Sequence, residues 1–209
     1  MRARTRTWRT GGILLGVAGV LTLLAGQYMV NAFALRLVID LVWAAGVVVF
    51  AVGFSRDASV VARRPLGMTA LVIAAATPLV SDGVMTALPD AFSADDPVIA
   101  AISVVSWGGW IVSAAAGLVA AVQIARLGAV PPRWRWMPMW ALCLTVGAAA
   151  VQYITVSVLF GAGAGQDVLV VANMIGVVSA LAPTLGLGVV ALVAAASERP
   201  DSVDIYRSA

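Results

Sequence analysis

The chain has 209 residues, 62% of them hydrophobic and only 11% charged, whereas a soluble domain carries about 25% charged residues. So little charge cannot coat a water-facing surface, and the expected solvent for most of the chain is lipid. All thirteen basic residues are arginine, there is no lysine or histidine, and the net charge is only +3. These arginines sit in short segments rather than on a basic face with interleaved aromatics, so no nucleic-acid partner is expected.

In chain order, a basic segment over 1–10 precedes six apolar runs. They cover about Gly11–Ala34, Leu37–Phe54, Leu66–Leu88, Val98–Ile124, Met137–Phe160 and Val168–Ala196. Each is long enough to cross a hydrocarbon core about 30 Å thick. None alternates with period two along its length, which disfavours a β-barrel. The predicted fold is all-α, a polytopic transmembrane bundle of six helices over 11–196, with a short tail over 197–209. The turn between the first two runs is the least defined, because Asn31–Arg36 is only partly polar. A cleaved signal peptide ending at Ala34 is a competing reading of the first run, and it would leave a mature chain starting at Leu35.

The breaks between runs are punctuated by charge and proline. Ser55–Pro65 holds Arg56, Asp57, Arg63 and Arg64; Arg126–Trp136 holds Pro131, Pro132, Arg133 and Arg135. Asp95 and Asp96 precede the fourth run and Asp167 the sixth, positions where a carboxylate meets free N–H groups and the positive end of a helix. Twelve of the thirteen arginines fall in alternate segments: the N-terminus, the second and fourth loops and the tail. Only Arg36 falls on the other side. The positive-inside rule puts the twelve, and both termini, in the cytoplasm. Trp134, Trp136 and Trp140, interleaved with Arg133 and Arg135, read as an interfacial belt on that face. Arginine in place of lysine, with abundant Ala, Val and Gly, is the pattern of a GC-rich bacterial genome, so a bacterial cell membrane is the expected location.

Small residues are placed for helix packing in lipid. Gly12 and Gly16 form a GxxxG step with Gly19 nearby. Gly109, Ser113, Gly117 and Ala121 make a stripe at four-residue spacing. Asn173, Gly176, Ala180, Pro183 and Thr184 share a face of the sixth run. Such seams serve the bundle itself or an oligomer. Pro78 and Pro183 each remove a backbone donor in mid-span and kink the helix or expose backbone as a ligand. Thr77-Pro78-Leu79 faintly echoes Pro183-Thr184-Leu185, as an inverted repeat would, though chance in an Ala-rich chain is the plainer account. Cys143 lies alone in an apolar run and reads as a packing residue.

Three ionisable residues fall within or at the edge of the spans: Arg36, Asp40 and Asp82. The first two are four apart and share a helix face. Asp82 lies at a similar depth, toward the outer end of the third span. Gln27, Asn31, Ser103, Ser106, Gln152, Tyr153 and Asn173 belong to the same half. A charge in hydrocarbon costs about 2.5–3.5 kcal/mol on insertion scales, so it faces protein or water. The expectation is an outward-facing polar cavity around Asp82, Asp40 and Arg36, with Gln152 and Asn173 as further candidates. Its plainer rival is an interfacial Arg36–Asp40 pair and an Asp82 bonded to neighbouring hydroxyls.

Absent residues narrow the chemistry. Without lysine no retinal Schiff base forms; without histidine, His-ligated haem, Ser-His catalysis and a usual zinc site are excluded. No phosphate-binding Gly-rich loop or His-Glu-x-x-His motif occurs. No cofactor or metal is expected. The leading expectation is a non-enzymatic membrane protein that assembles with itself or a membrane-protein partner. The second is a small-solute or ion transporter using the polar cavity, and the third a lipid-modifying enzyme.

Overall fold

The computed structural model describes residues 2–28, 33–55, 58–86, 97–128, 130–160 and 167–197. The described residues are helical almost throughout, and six helices are long and apolar enough to cross a membrane. They are α1 (Arg2–Tyr28), α2 (Phe33–Val52), α3 (Pro65–Thr86), α4 (Pro97–Leu127), α5 (Met137–Ile154) and a composite sixth span. The sixth runs from α6 (Asp167–Leu181) through a π-helical turn, Ala182–Gly186, into α7 (Leu187–Ser197). A second π-helical turn, Thr155–Phe160, extends α5.

Two boundaries differ from the hydropathy reading. The first helix begins at Arg2, nine residues before the apolar run, because arginine is a good helix former and nothing in Arg2–Thr10 breaks a helix. Thr7 and Trp8 on this extension are buried. The second helix begins at Phe33, so Arg36 lies inside it rather than in a turn. Capping by Asp95 and Asp96 lies outside the described residues, as do Asn31, Arg56, Asp57, Arg199, Arg207 and the side chains of Gln27 and Asp167.

The spans form a ring in chain order. Each packs on its chain neighbours, and α1 closes the circle against the sixth span. The α4–α5 seam is the thinnest. Small residues face inward and large ones outward: Ala18 is fully buried while Val104 is 71% exposed. That inversion of a soluble core is what lipid solvent permits, since outward Val and Ile lose nothing in hydrocarbon.

Glycines set the closest approaches. A Cβ on Gly188 would stand 2.8 Å from the Gly16 nitrogen and 2.9 Å from the Gly12 carbonyl oxygen. The GxxxG step is therefore filled from within the chain, by α7. Gly19 meets Leu185, and Gly46 of α2 meets Leu15. If α1 were removed at Ala34, α7 would lose this partner and the ring its closure.

A cluster of buried apolar residues lies at the end of the ring where α1 begins and α7 ends. Trp8, Val60, Val61, Ile124, Val130 and Ala191 form its buried core, with Trp8 edge-on to Phe50 at 5.9 Å. Both loops at this end fold inward to contribute. The Ser59 hydroxyl donates to the Ala51 carbonyl, and the Phe54 N–H donates to Thr7 Oγ1 at 3.0 Å. Arg63 closes the C-terminus of α2, its Nε donating to the Val52 carbonyl at 2.9 Å and Nη2 to Gly53 at 3.3 Å. Gly53 has φ +62°, and a Cβ there would sit 2.5 Å from the Ser59 nitrogen, so only glycine fits this turn. The tryptophan belt is split. Trp136 and Trp140 are exposed and Arg135 stands over the Trp136 ring at 5.9 Å, as an interfacial anchor requires. Trp134 instead turns inward onto the core.

Candidate functional site

The ring encloses a cavity of about 860 Å³ lined by all six spans, within the size range of small-molecule sites. Each helix contributes one stripe. On α2 it is Arg36, Asp40, Trp43, Val47 and Phe50; on α3 it is Leu71, Ala74, Pro78 and Asp82. These follow the three- and four-residue steps of a single helix face. The composition is graded along the axis. Near the termini the walls are the apolar core just described; toward the other end come Thr22, Trp43 and Trp110, then Asp40, Asp82 and Arg36.

The ionisable trio converges here. Asp40 lies seven residues into α2, about 10 Å from its start, and Asp82 four residues from the described end of α3, about 6 Å. Because α2 and α3 run antiparallel and pack together, these depths match. The two carboxyl groups come within hydrogen-bonding reach of one another, and the Arg36 charge acts on Asp40 from one turn away. Arg36, Asp40 and Asp82 are the only ionisable groups among the described residues lining the cavity.

The other sequence candidates go elsewhere. Gln152 lies in the α5–α6 seam, where its amide fills the space beside Gly176; a Cβ on Gly176 would meet Gln152 Nε2 at 2.8 Å. Asn173 is exposed on α6. Neither lines the cavity. Ser106 is exposed and donates to its own helix, to the Ile102 carbonyl at 2.9 Å. Tyr153 packs edge-on against Trp107 at 5.1 Å on the outside of the thin α4–α5 seam. Their axial depth agrees with the trio, but their azimuth does not.

Both prolines reach the cavity wall, in different ways. Pro78 sits within α3, one turn from Asp82. Pro183 lies in the π-helical turn of the sixth span, so the two are not structural counterparts and the faint repeat stops at sequence. Pro183 cannot donate to the Ser179 carbonyl one turn earlier. The Thr145 hydroxyl of α5 shares its proton between the Ala141 carbonyl of its own helix at 2.9 Å and the Ser179 carbonyl at 3.3 Å, while Ser179 Oγ donates to the Thr145 carbonyl at 3.0 Å.

Trp43 and Trp110 are site residues that polarity alone does not flag. Trp43 follows Asp40 by three residues and shares the stripe of Arg36 and Asp40, so helical spacing from the charged pair was the signal available. Its indole N–H is buried with no hydrogen-bond partner. The lining hydroxyls of Thr22, Thr145 and Thr184 donate to backbone carbonyls of their own helices, so they are engaged in structure. No group of three or more metal-ligating side chains occurs among the described residues. Comparison of the chain with protein-family models, with curated proteins and with solved structures finds no significant match, so what the site does is read from its own geometry.

Proposed function

We propose that this chain is a small-solute transporter whose ligand site is the central cavity around Asp82, Asp40 and Arg36. The observation that carries this reading is the facing pair of carboxyl groups, with the exposed Arg36 one turn from Asp40, in a cavity bounded by all six spans. Charges are costly at such depth and are kept where they face a water-filled or ligand-filled path. Twelve of thirteen arginines in alternate segments support cytoplasmic termini, which makes the charged end of the cavity the outward one. The closed apolar core near the termini is then the cytoplasmic barrier.

Two features favour this reading over the others. Self-assembly drew support from the small-residue seams, the short loops and the lack of catalytic motifs, and one of those seams, the Gly12–Gly16 step, is occupied by Gly188 of the same chain. The lining threonines are bonded to backbone and so are not poised as nucleophiles. The facing carboxyl pair is suited to acid–base chemistry as well as to binding, and the proposed role is binding and passage.

The test is flux in vesicles reconstituted with the full chain, using labelled monovalent organic cations, organic anions and neutral solutes. At least one class is expected to cross faster than in protein-free vesicles. Asp82→Asn, which keeps size and shape, is expected to slow that flux by about 10-fold or more, the loss of one charge-assisted contact. No class moving above background, or full flux in a folded Asp82→Asn protein, overturns the proposal.

A further inference from the structure

We infer that the cavity binds a monovalent organic cation with an apolar body, and that this cation exchanges for one proton held between Asp40 and Asp82. The inference deepens the transport reading and rests on it for direction of movement, but binding and proton release stand on the site alone.

Charge balance in a cluster whose two carboxyl groups are half-buried is the first support. Two carboxyl groups can hydrogen-bond to each other only while one of them carries a proton. In that state the pair holds one negative charge, Arg36 one positive charge, and the trio is neutral. Losing the proton leaves two half-buried carboxylates beside one exposed guanidinium, a net −1 that a bound cation offsets. A bound monocation restores neutrality; a bound anion would require a second uncompensated cation that the wall does not supply. α1, α4, α5 and the sixth span present no ionisable side chain to the cavity among the described residues. The site is thus neutral with either a proton or a cation, and charged with both or neither. That is a one-for-one exchange: the O–H bond of the shared carboxyl breaks, its proton leaves to water, and the freed carboxylate faces the cation.

The second support is the wall next to the pair. Trp43 lies one turn from Asp40, and Trp110 faces the same cavity from α4. Indole is the strongest aromatic partner for a cation, and desolvated contacts are the most favourable. Below them the lining is Val47, Ala74, Gly117, Ala121 and Leu142, which suits a hydrocarbon or aromatic body and not a strongly hydrated ion.

The test uses a matched pair of probes, tetraphenylphosphonium and tetraphenylborate, which share size and shape and differ in sign. Full-length protein in lipid nanodiscs is titrated with each in weak buffer, reading tryptophan fluorescence and proton release. The cation is expected to bind and release about one proton per molecule bound, and the anion to bind at least about 10-fold more weakly. Asp40→Asn and Asp82→Asn are expected to abolish the coupled proton release and to weaken cation binding about 10- to 100-fold. Trp43→Phe should weaken it about 3- to 30-fold, and Asn173→Ala, outside the cavity, should change nothing. Equal binding of the borate, cation binding without proton release, or wild-type affinity in folded Asp82→Asn overturns the inference. Cation binding with proton release but no flux leaves it standing and sinks transport. Asp82-dependent flux of an anion or neutral solute, with no phosphonium binding, does the reverse.

Discussion

At the scale of single residues, the sixth span shows how a membrane helix tolerates proline. Pro183 leaves the Ser179 carbonyl without its usual donor, and no water is at hand in the bilayer to supply one. Thr145 on the neighbouring helix supplies a shared one, its hydroxyl divided between the Ala141 and Ser179 carbonyls, and Ser179 Oγ donates back to the Thr145 carbonyl. Thr145→Val keeps the shape and removes the donor. It is expected to destabilise the protein by about 0.6–1.7 kcal/mol, the range of interhelical hydrogen bonds in lipid, read as a lower melting temperature in detergent. Pro183→Ala restores the helix's own donor, so the same Thr145→Val change in that background should cost less. Equal losses in both backgrounds would show that the pair does not serve the proline. The sequence offered Pro183 as a kink or backbone ligand; the carbonyl's partner was illegible, because Thr145 lies 34 residues away on another helix.

Helices meet through seams that the sequence marked better than it marked the site. Gly12 and Gly16 were legible as a close-packing step, since only glycine lets backbones touch. What they touch was not legible: a GxxxG step reads the same toward a second copy as toward α7. The gap around Gly188 is narrow enough to decide. Gly188→Val adds a branched side chain where even a Cβ would lie 2.8 Å from backbone nitrogen. Overpacking of this kind costs about 1–3 kcal/mol, so lower yield and a lower melting temperature are expected. Gly83→Ala is the control, because its added Cβ meets nothing within 4 Å. Equal losses in both would refute the seam. The same logic separates the site residues that converge from those that do not. Depth along an axis follows from counting residues, so Arg36, Asp40 and Asp82 could be matched in advance. Azimuth depends on how each helix is rotated in the ring, which is why Gln152 and Asn173, correct in depth, face away from the cavity.

For the molecule as a whole, the two ends of the ring differ in kind, and that difference predicts which end must open. The charged end of the cavity has Arg36, Asp40 and Asp82; the termini end is walled by the buried apolar cluster of Trp8, Val60, Ile124 and Val130, with Phe50 packed against it. On the proposed transport function, solute crossing the ring has to part this apolar cluster, so weakening it should raise access from the termini side. Trp8 is the largest member, 7% exposed and edge-on to Phe50. Trp8→Ala removes about 3–5 kcal/mol of core stabilisation. If only about 1.4 kcal/mol of that falls on the closed form relative to the open one, the open population rises about 10-fold. The reporter is a cysteine in place of Leu187, which lines the cavity, in a chain whose native thiol is removed by Cys143→Ala. A membrane-impermeant maleimide added from the termini side should label Leu187→Cys slowly in the otherwise native ring and about 10-fold faster with Trp8→Ala. Labelling from the opposite side should change far less, because the charged end is untouched. Unchanged labelling from the termini side in a folded Trp8→Ala protein would mean that the cluster is scaffold, and that solute does not pass through this end of the ring.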